Sequence, residues 1–324
     1  MKILSEVLGS RTIAISGHEK PDGDAVGACL ALAMYLDRAM SGATGARPRI
    51  DVYLENFPES LKKNIPGQQF IRGEMAKEDI AYDAFILLDT GKGRLGKAER
   101  LYDLARRRIN IDHHISNPGD GDVAFIDPER SSTCELLYDT MDPSFVDRDI
   151  AQALYVGMVT DTGVFRYSNT SGRTLQIAAL LLDHGFDFSR VVQEVFFEKT
   201  YVQQKLMGRA LSEAELRLDG RLITSVIDSA AMKSLGARKE DIDGISSELI
   251  LTEGVDCAVF MHEQSAGFWR LSLRSGGNVD VAAIAQEFDG GGHVRAAGCS
   301  YSGADPEGML RMVEEKVALQ LGIV

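Results

Sequence analysis

Only four cysteines occur in 324 residues, at positions 29, 134, 257 and 299. No two stand close enough for a CxxC pair, which argues against a disulfide framework and a cysteine-rich structural zinc site. They read as small buried hydrophobes of a reducing compartment. Positive charge is also scarce: 35 Lys and Arg against 48 Asp and Glu leave a formal charge of -13. A protein that grips long DNA or RNA nonspecifically carries a positive field, and this chain has none on average. Long apolar runs are missing too. The opening MKILSEVLGSRTIAI contains Glu6 and Arg11 and no run fit for a signal or membrane helix, so a cytoplasmic location is expected. Repeats and low-complexity tracts are absent. What remains is an ordinary globular composition, 44% hydrophobic and 26% charged, in a length that suits two domains.

The first half alternates strand and helix patterns. Strands are expected at 12–17, 50–54, 83–90, 107–112 and 123–128. Helices are expected at Val26–Met40, 131–140, 148–160 and 172–184. This predicts an α/β domain with a mainly parallel sheet flanked by helices on both faces. From Phe188 to about Glu215 the pattern reads as one long helical stretch, a linker helix. The remainder predicts a mixed-sheet α+β domain: a hairpin around Asp219-Gly220, two strands within 255–275, and helices at 281–288 and 306–321. The expected division is 1–187, a linker at 188–212, and 213–324.

Acidic and imidazole side chains recur at predicted strand ends. His18, Asp22 and Asp24 lie in the loop HEKPDGDA, Asp89 closes a buried apolar run, and Asp112-His113-His114 follows another strand. Asp161 ends an apolar helix. In open α/β sheets ligands bind at the carboxyl ends of strands. Taken singly, each group also fits a helix cap, a turn or an ordinary loop residue. Taken together, the oxygen-rich set with a minority of imidazoles suits Mn²⁺ or a similar divalent ion. On an extended chain His113 and His114 should point in opposite directions, so one could ligate while the other faces substrate.

Farther along, Gly290, Gly291 and Gly292 precede His293. Such a backbone either lets N–H groups approach a phosphate or simply forms a tight turn. Arg274 is a candidate phosphate clamp or a lone arginine at a strand end. Trp269 reads as core, Phe268 as core or a ring on which a base stacks, His184 as a helix C-terminal cap, and His262 as an exposed hairpin residue.

The segments HEKPDGDA, LLDTG, DHH and TDTG resemble the four motifs of the DHH phosphoesterase superfamily. GGGHVRAAG at 290–298 resembles the DHHA1 signature, and the pair resembles the bifunctional oligoribonuclease and 3′-phosphoadenosine-5′-phosphate (PAP) phosphatase group. That resemblance implies that His18, Asp22 and Asp89 hold one Mn²⁺. It implies that Asp24, Asp89, His113 and Asp161 hold a second, with Asp89 bridging; Mg²⁺ and Co²⁺ use similar ligands. It gives His114 to the scissile phosphate and Asp112 to the orientation of the histidines. Arg274, Ser275, Gly291, Gly292 and His293 would bind the substrate's terminal nucleotide or phosphate. The implied activity is two-metal, activated-water hydrolysis of short oligoribonucleotides to mononucleotides, and of PAP to AMP. Cyclic di-AMP or pApA is the alternative substrate. Inorganic pyrophosphate and a non-enzymatic nucleotide-binding role stand further off. Small substrates, no long duplex, no membrane partner and a homodimer complete the expectation.

Overall fold

The computed structural model describes residues 2–45, 47–72 and 80–323. The chain divides into two compact units, Met1–Glu198 and Lys199–Val324.

In the first unit β1 (Thr12–Ser16), β2 (Arg49–Tyr53), β3 (Ala84–Leu88), β4 (Arg108–Asp112) and β5 (Val123–Ile126) form one sheet. Its order is β2-β1-β3-β4-β5, and every pairing is parallel. Parallel strands need helical crossovers, which cover both faces and leave the strands apolar throughout. β3 is the extreme case, buried at every position. Alternate residues feed two cores. Ile13, Ile15, Ile86 and Ile111 pack against the helices Gly23–Thr44, Thr133–Thr140 and Arg148–Asp161. Ala14, Phe85 and Leu87 face Leu101 and Tyr102 of the helix Glu99–Leu104. The strand order reverses between β1 and β3, the switch point at which such sheets open a crevice at their carboxyl ends.

The second unit holds a six-stranded mixed sheet, β10-β11-β9-β8-β7-β6. Its strands are β6 (Glu215–Arg217), β7 (Leu222–Ile227), β8 (Cys257–Ser265), β9 (Phe268–Ser275), β10 (Gly291–His293) and β11 (Ala296–Ser302). Only β7 and β8 pair in parallel. The expected hairpin is β6–β7, and Asp219 and Gly220 take the positive φ its turn requires. One face of the sheet packs on the helices Val281–Gln286 and Pro306–Leu321, the other on Tyr201–Ser212 and Ile245–Leu249. The α/β unit and the mixed-sheet unit thus match the fold class read from the pattern.

Two expectations need correction. The helical stretch from Phe188 is not continuous. An α-helix at Phe188–Val192 runs into a π-helical turn at Gln193–Phe197, and Glu198 is extended. A new helix begins at Tyr201, where Thr200 and Gln203 form a reciprocal capping box. His262 is also not exposed. β8 extends to Ser265, so the turn lies beyond it, and the imidazole is only 6% exposed, stacked on Phe260 at 5.8 Å. No helix among the described residues is long and apolar enough to cross a membrane.

Candidate metal centre

Parallel strands deliver every carboxyl end to the same edge of the sheet, and the predicted acidic and imidazole groups collect there. After β1 the chain turns through His18 and enters the helix Gly23–Thr44. Asp22 caps that helix, one carboxylate oxygen accepting the Asp24 and Ala25 N–H groups. Asp24, in the first turn, is fully buried. Asp89 follows β3 with a φ of 60° and is 2% exposed. A left-handed φ is uncommon outside glycine but tolerated by aspartate, and here it aims the carboxylate between the two imidazoles His18 and His113.

His18 Nε2 lies 3.6 Å from Asp89 and 3.8 Å from Asp22. His113 Nε2 lies 3.1 Å from Asp161, 3.5 Å from Asp89 and 4.0 Å from Asp24. His114 does not diverge from His113 as an extended chain would require. Asp112 accepts both of their backbone N–H groups on one oxygen and bends the chain after β4. The two rings end 4.5 Å apart between centroids. The same Asp112 oxygen meets His114 Nδ1 at 2.7 Å, and the other accepts from Asn117. Asp112 thereby orients His114 with its other nitrogen outward.

Thr133 was not singled out from the sequence. Its N–H donates to Asp24 at 2.6 Å, the Cys134 N–H donates to the other Asp24 oxygen at 2.9 Å, and the Thr133 hydroxyl donates to Asp89 at 3.1 Å. The amino end of the helix Thr133–Thr140 therefore cradles two acids of the cluster. Its signal was the Ser-Ser-Thr run that opens the helix. Gly157 makes the room: a Cβ there would lie 2.3 Å from Cys134 Sγ and 2.8 Å from Asp24 Oδ1.

The electrostatics are those of an acid-rich site short of positive charge. Burial, then repulsion from Asp89 and Asp161, pushes the Asp24 carboxyl well up, and burial raises Asp161 as well. Burial also opposes ionisation of Asp89, but His113 and His18 overcome it and hold that acid far below its usual range. His18 loses hydration, yet Asp22 and Asp89 pull it up to about 9. His113 is likewise desolvated, yet Asp161 and Asp89 take it to about 11. His113 Nδ1 sits 3.3 Å from the Arg130 carbonyl, an arrangement that places the proton on Nδ1. Its Nε2 is buried with no hydrogen-bond partner, as is His18 Nδ1. A buried imidazole nitrogen without a hydrogen bond, facing three carboxylates, fits a divalent cation, which supplies the missing charge and takes the lone pair.

Donor atoms of His18, Asp22 and Asp89 lie within 4.8 Å of one another, as do those of Asp24, His113 and Asp161. A third such group joins Asp89 to Asp112, His113 and His114. Asp89 faces the imidazoles of the first two groups, His18 and His113, at similar distances.

The sequence from 12 to 158 matches the DHH family, N-terminal domain, and that from 219 to 319 matches the DHHA1 domain. The chain is 30% identical to the bifunctional oligoribonuclease and PAP phosphatase NrnA of Thermus thermophilus, over 99% of this chain and 94% of that protein. The chain belongs to the DHH/DHHA1 phosphoesterase superfamily. It is also 25% identical to the NrnA of Bacillus subtilis across 94% of both chains. A solved exopolyphosphatase-related protein of Bacteroides fragilis superposes with a TM-score of 0.86 at 26% identity, covering 98% of this chain and 96% of that one.

In the DHHA1 unit, sheet register places Arg274, Ala296 and His293 in one row across β9, β11 and β10. Gly290 and Gly292 are glycines for packing, since a Cβ at either would strike the backbone of β11 within 2.4 Å. Gly291 is exposed and a Cβ there would meet nothing within 4 Å. Its small size leaves a bare backbone beside that row. Ser275 is 8% exposed, its hydroxyl accepting from Gly277 and Val279 N–H groups, so it shapes the turn after Arg274. Trp269 is core, 6% exposed, its indole N–H donating to the Gly303 carbonyl.

Proposed function

We propose that this chain is a Mn²⁺-dependent phosphodiesterase and phosphatase that cuts short oligoribonucleotides to mononucleotides and converts PAP to AMP. The observation that carries the reading is Asp89, buried between the His18 and His113 imidazoles, with His113 Nε2 facing three carboxylates and lacking a hydrogen-bond partner. His18, Asp22 and Asp89 would hold one ion, and Asp24, His113 and Asp161, with Asp89, would hold the other. When bound, two such ions supply a hydroxide nucleophile near neutral pH and neutralise charge on the phosphoryl oxygens.

The chain's own groups do the rest. Thr133 and Cys134 N–H groups keep Asp24 aimed into the site. The Arg130 carbonyl fixes the His113 tautomer, and Asp127, Glu135 and Asp139 hold the Arg130 guanidinium. His114, 42% exposed and locked by Asp112, presents a ring nitrogen to a non-bridging phosphate oxygen or to the leaving group. Arg274, with the Gly291, Gly292 and His293 backbone, holds the substrate's terminal nucleotide or phosphate, and Ser275 sets the turn that supports it. The net charge of -13 disfavours long polymers, so short substrates follow. The named activities of the NrnA relatives support the same reading.

The test is a side-by-side rate comparison with Mn²⁺ on pApA, a labelled RNA of two to five residues, cyclic di-AMP, PAP and pyrophosphate. Short RNA and pApA should turn over fastest, with PAP also hydrolysed. Fastest turnover of cyclic di-AMP would reassign the substrate. Hydrolysis of pyrophosphate alone, or of none of the five, would overturn the proposal.

A further inference from the structure

A cavity of about 410 Å³ opens beside the His114 imidazole, entirely within the first unit. Its walls come from the loop after β3, Thr90 to Arg94, and the loop after β4, including Ser116, Asn117 and Asp120. Most of its charges are already engaged. Lys92 Nζ pairs with Asp103 at 2.7 Å and Glu99 at 3.6 Å. Asp112 is occupied by the two histidines and Asn117. One Asp120 oxygen accepts the Lys92 N–H at 2.7 Å. Arg94 differs: its guanidinium is exposed and makes no ion pair or side-chain hydrogen bond among the described residues. The turn carrying it is pinned by its own backbone, Arg94 N–H donating to Gly91 and the Arg94 carbonyl accepting from Glu19. The turn that carries the cation is thus fixed, and among the described residues no acid is paired with it, in a chain whose acids outnumber its bases.

We infer that this cavity is a nucleoside subsite and that Arg94 pairs with the next phosphate along the chain. The inference rests on the phosphodiesterase reading, because the cavity begins at His114, the group given to the scissile phosphate. The volume suits one nucleoside and not two, at the lower end of the range that encloses small ligands. The Ser116 hydroxyl, the second Asp120 oxygen and the bare Gly93 backbone, where a Cβ would meet nothing within 4 Å, supply polar partners and space for a ribose and base. A nucleoside seated there has its far phosphate leaving by the rim, where Arg94 offers a forked donor suited to it. Arg94 acts on substrate length, not on the bond broken.

The test compares kcat/KM, with Mn²⁺, on the trinucleotide pApApA and on bis(p-nitrophenyl) phosphate, which has no second phosphate. The ratio of the two cancels losses of folding or metal loading. In Arg94→Ala the trinucleotide-to-ester ratio should fall about fivefold, mostly through KM, as expected for an exposed charge pair. Arg94→Lys, which keeps the charge, should recover much of it. A ratio within twofold of native in Arg94→Ala, or a loss shared equally by both substrates, overturns the subsite. A native protein inactive on both substrates overturns the phosphodiesterase reading beneath it.

Discussion

Asp89→Asn keeps the size of a side chain that is 2% exposed and removes the charge shared by the two ligand sets. Asp89 oxygens lie 3.6 Å from His18 Nε2 and 3.5 Å from His113 Nε2. At the effective dielectric that describes protein sites, one unit pair at that distance is worth about 5 kcal/mol before desolvation. Removing one partner of a buried pair costs about 3–5 kcal/mol net. Expressed as lost transition-state stabilisation, that is roughly a hundredfold to ten-thousandfold in rate. The assay is single-turnover hydrolysis of pApA at saturating Mn²⁺, with thermal unfolding followed with and without metal. Native protein at about a hundred times the metal Kd should gain about 3 kcal/mol, a rise of several degrees in Tm. Asp89→Asn should lose most of that rise and about a thousandfold in turnover. Turnover within tenfold of native, with the metal-induced rise intact, would refute the shared role of Asp89.

Three further outcomes are expected. Gly157→Ala places a methyl against Cys134 Sγ and Asp24; it should cost about 1–3 kcal/mol in urea unfolding and shrink the metal-induced Tm rise, and unchanged values for both would remove the packing argument. Arg274→Ala should raise KM for pApA with kcat nearly retained, and a fall in kcat alone would place it elsewhere. His262 is held down to about 4 by burial and by the Arg270 and Lys239 charges, against 6.5 when unfolded. The unfolded chain therefore takes up the proton first, so stability is whole above pH 6.5 and is lost as the pH falls toward 4. Between pH 7.5 and 5.0 that shift is worth about 2 kcal/mol. His262→Phe should be less acid-sensitive than native by that amount in denaturant midpoints at pH 7.5 and 5.0, and equal sensitivity would contradict the assignment.

The sequence made the strand ends legible because a buried parallel strand is apolar along its whole length. An aspartate closing such a run, as Asp89 does, stands out. The candidate acidic and imidazole groups at strand ends were singled out in this way, and a parallel sheet brings its carboxyl ends to one edge. The cradle around Asp24 was less legible, because its donors are the backbone N–H groups of Thr133 and Cys134 and any residues carry those. The break before Tyr201 did have a signal, the Thr200-x-x-Gln203 capping box, but the helical periodicity on either side masked it. His262 was misplaced because two residues at Ala266-Gly267 suffice for the β8–β9 turn, which leaves His262 inside the ladder. The divergence expected of His113 and His114 assumed an extended chain, and Asp112 prevents it by binding both N–H groups. The cavity beside His114 leaves no mark in the sequence, since it is built from two loops joined only through the sheet.

The most direct measurement of the central claim is a Mn²⁺ titration of metal-free protein by calorimetry, with bound metal counted after desalting. The two ligand sets around Asp89 predict two ions per chain, with hydrolysis of pApA appearing as the second is filled. One ion per chain at full activity, or none, would contradict the account.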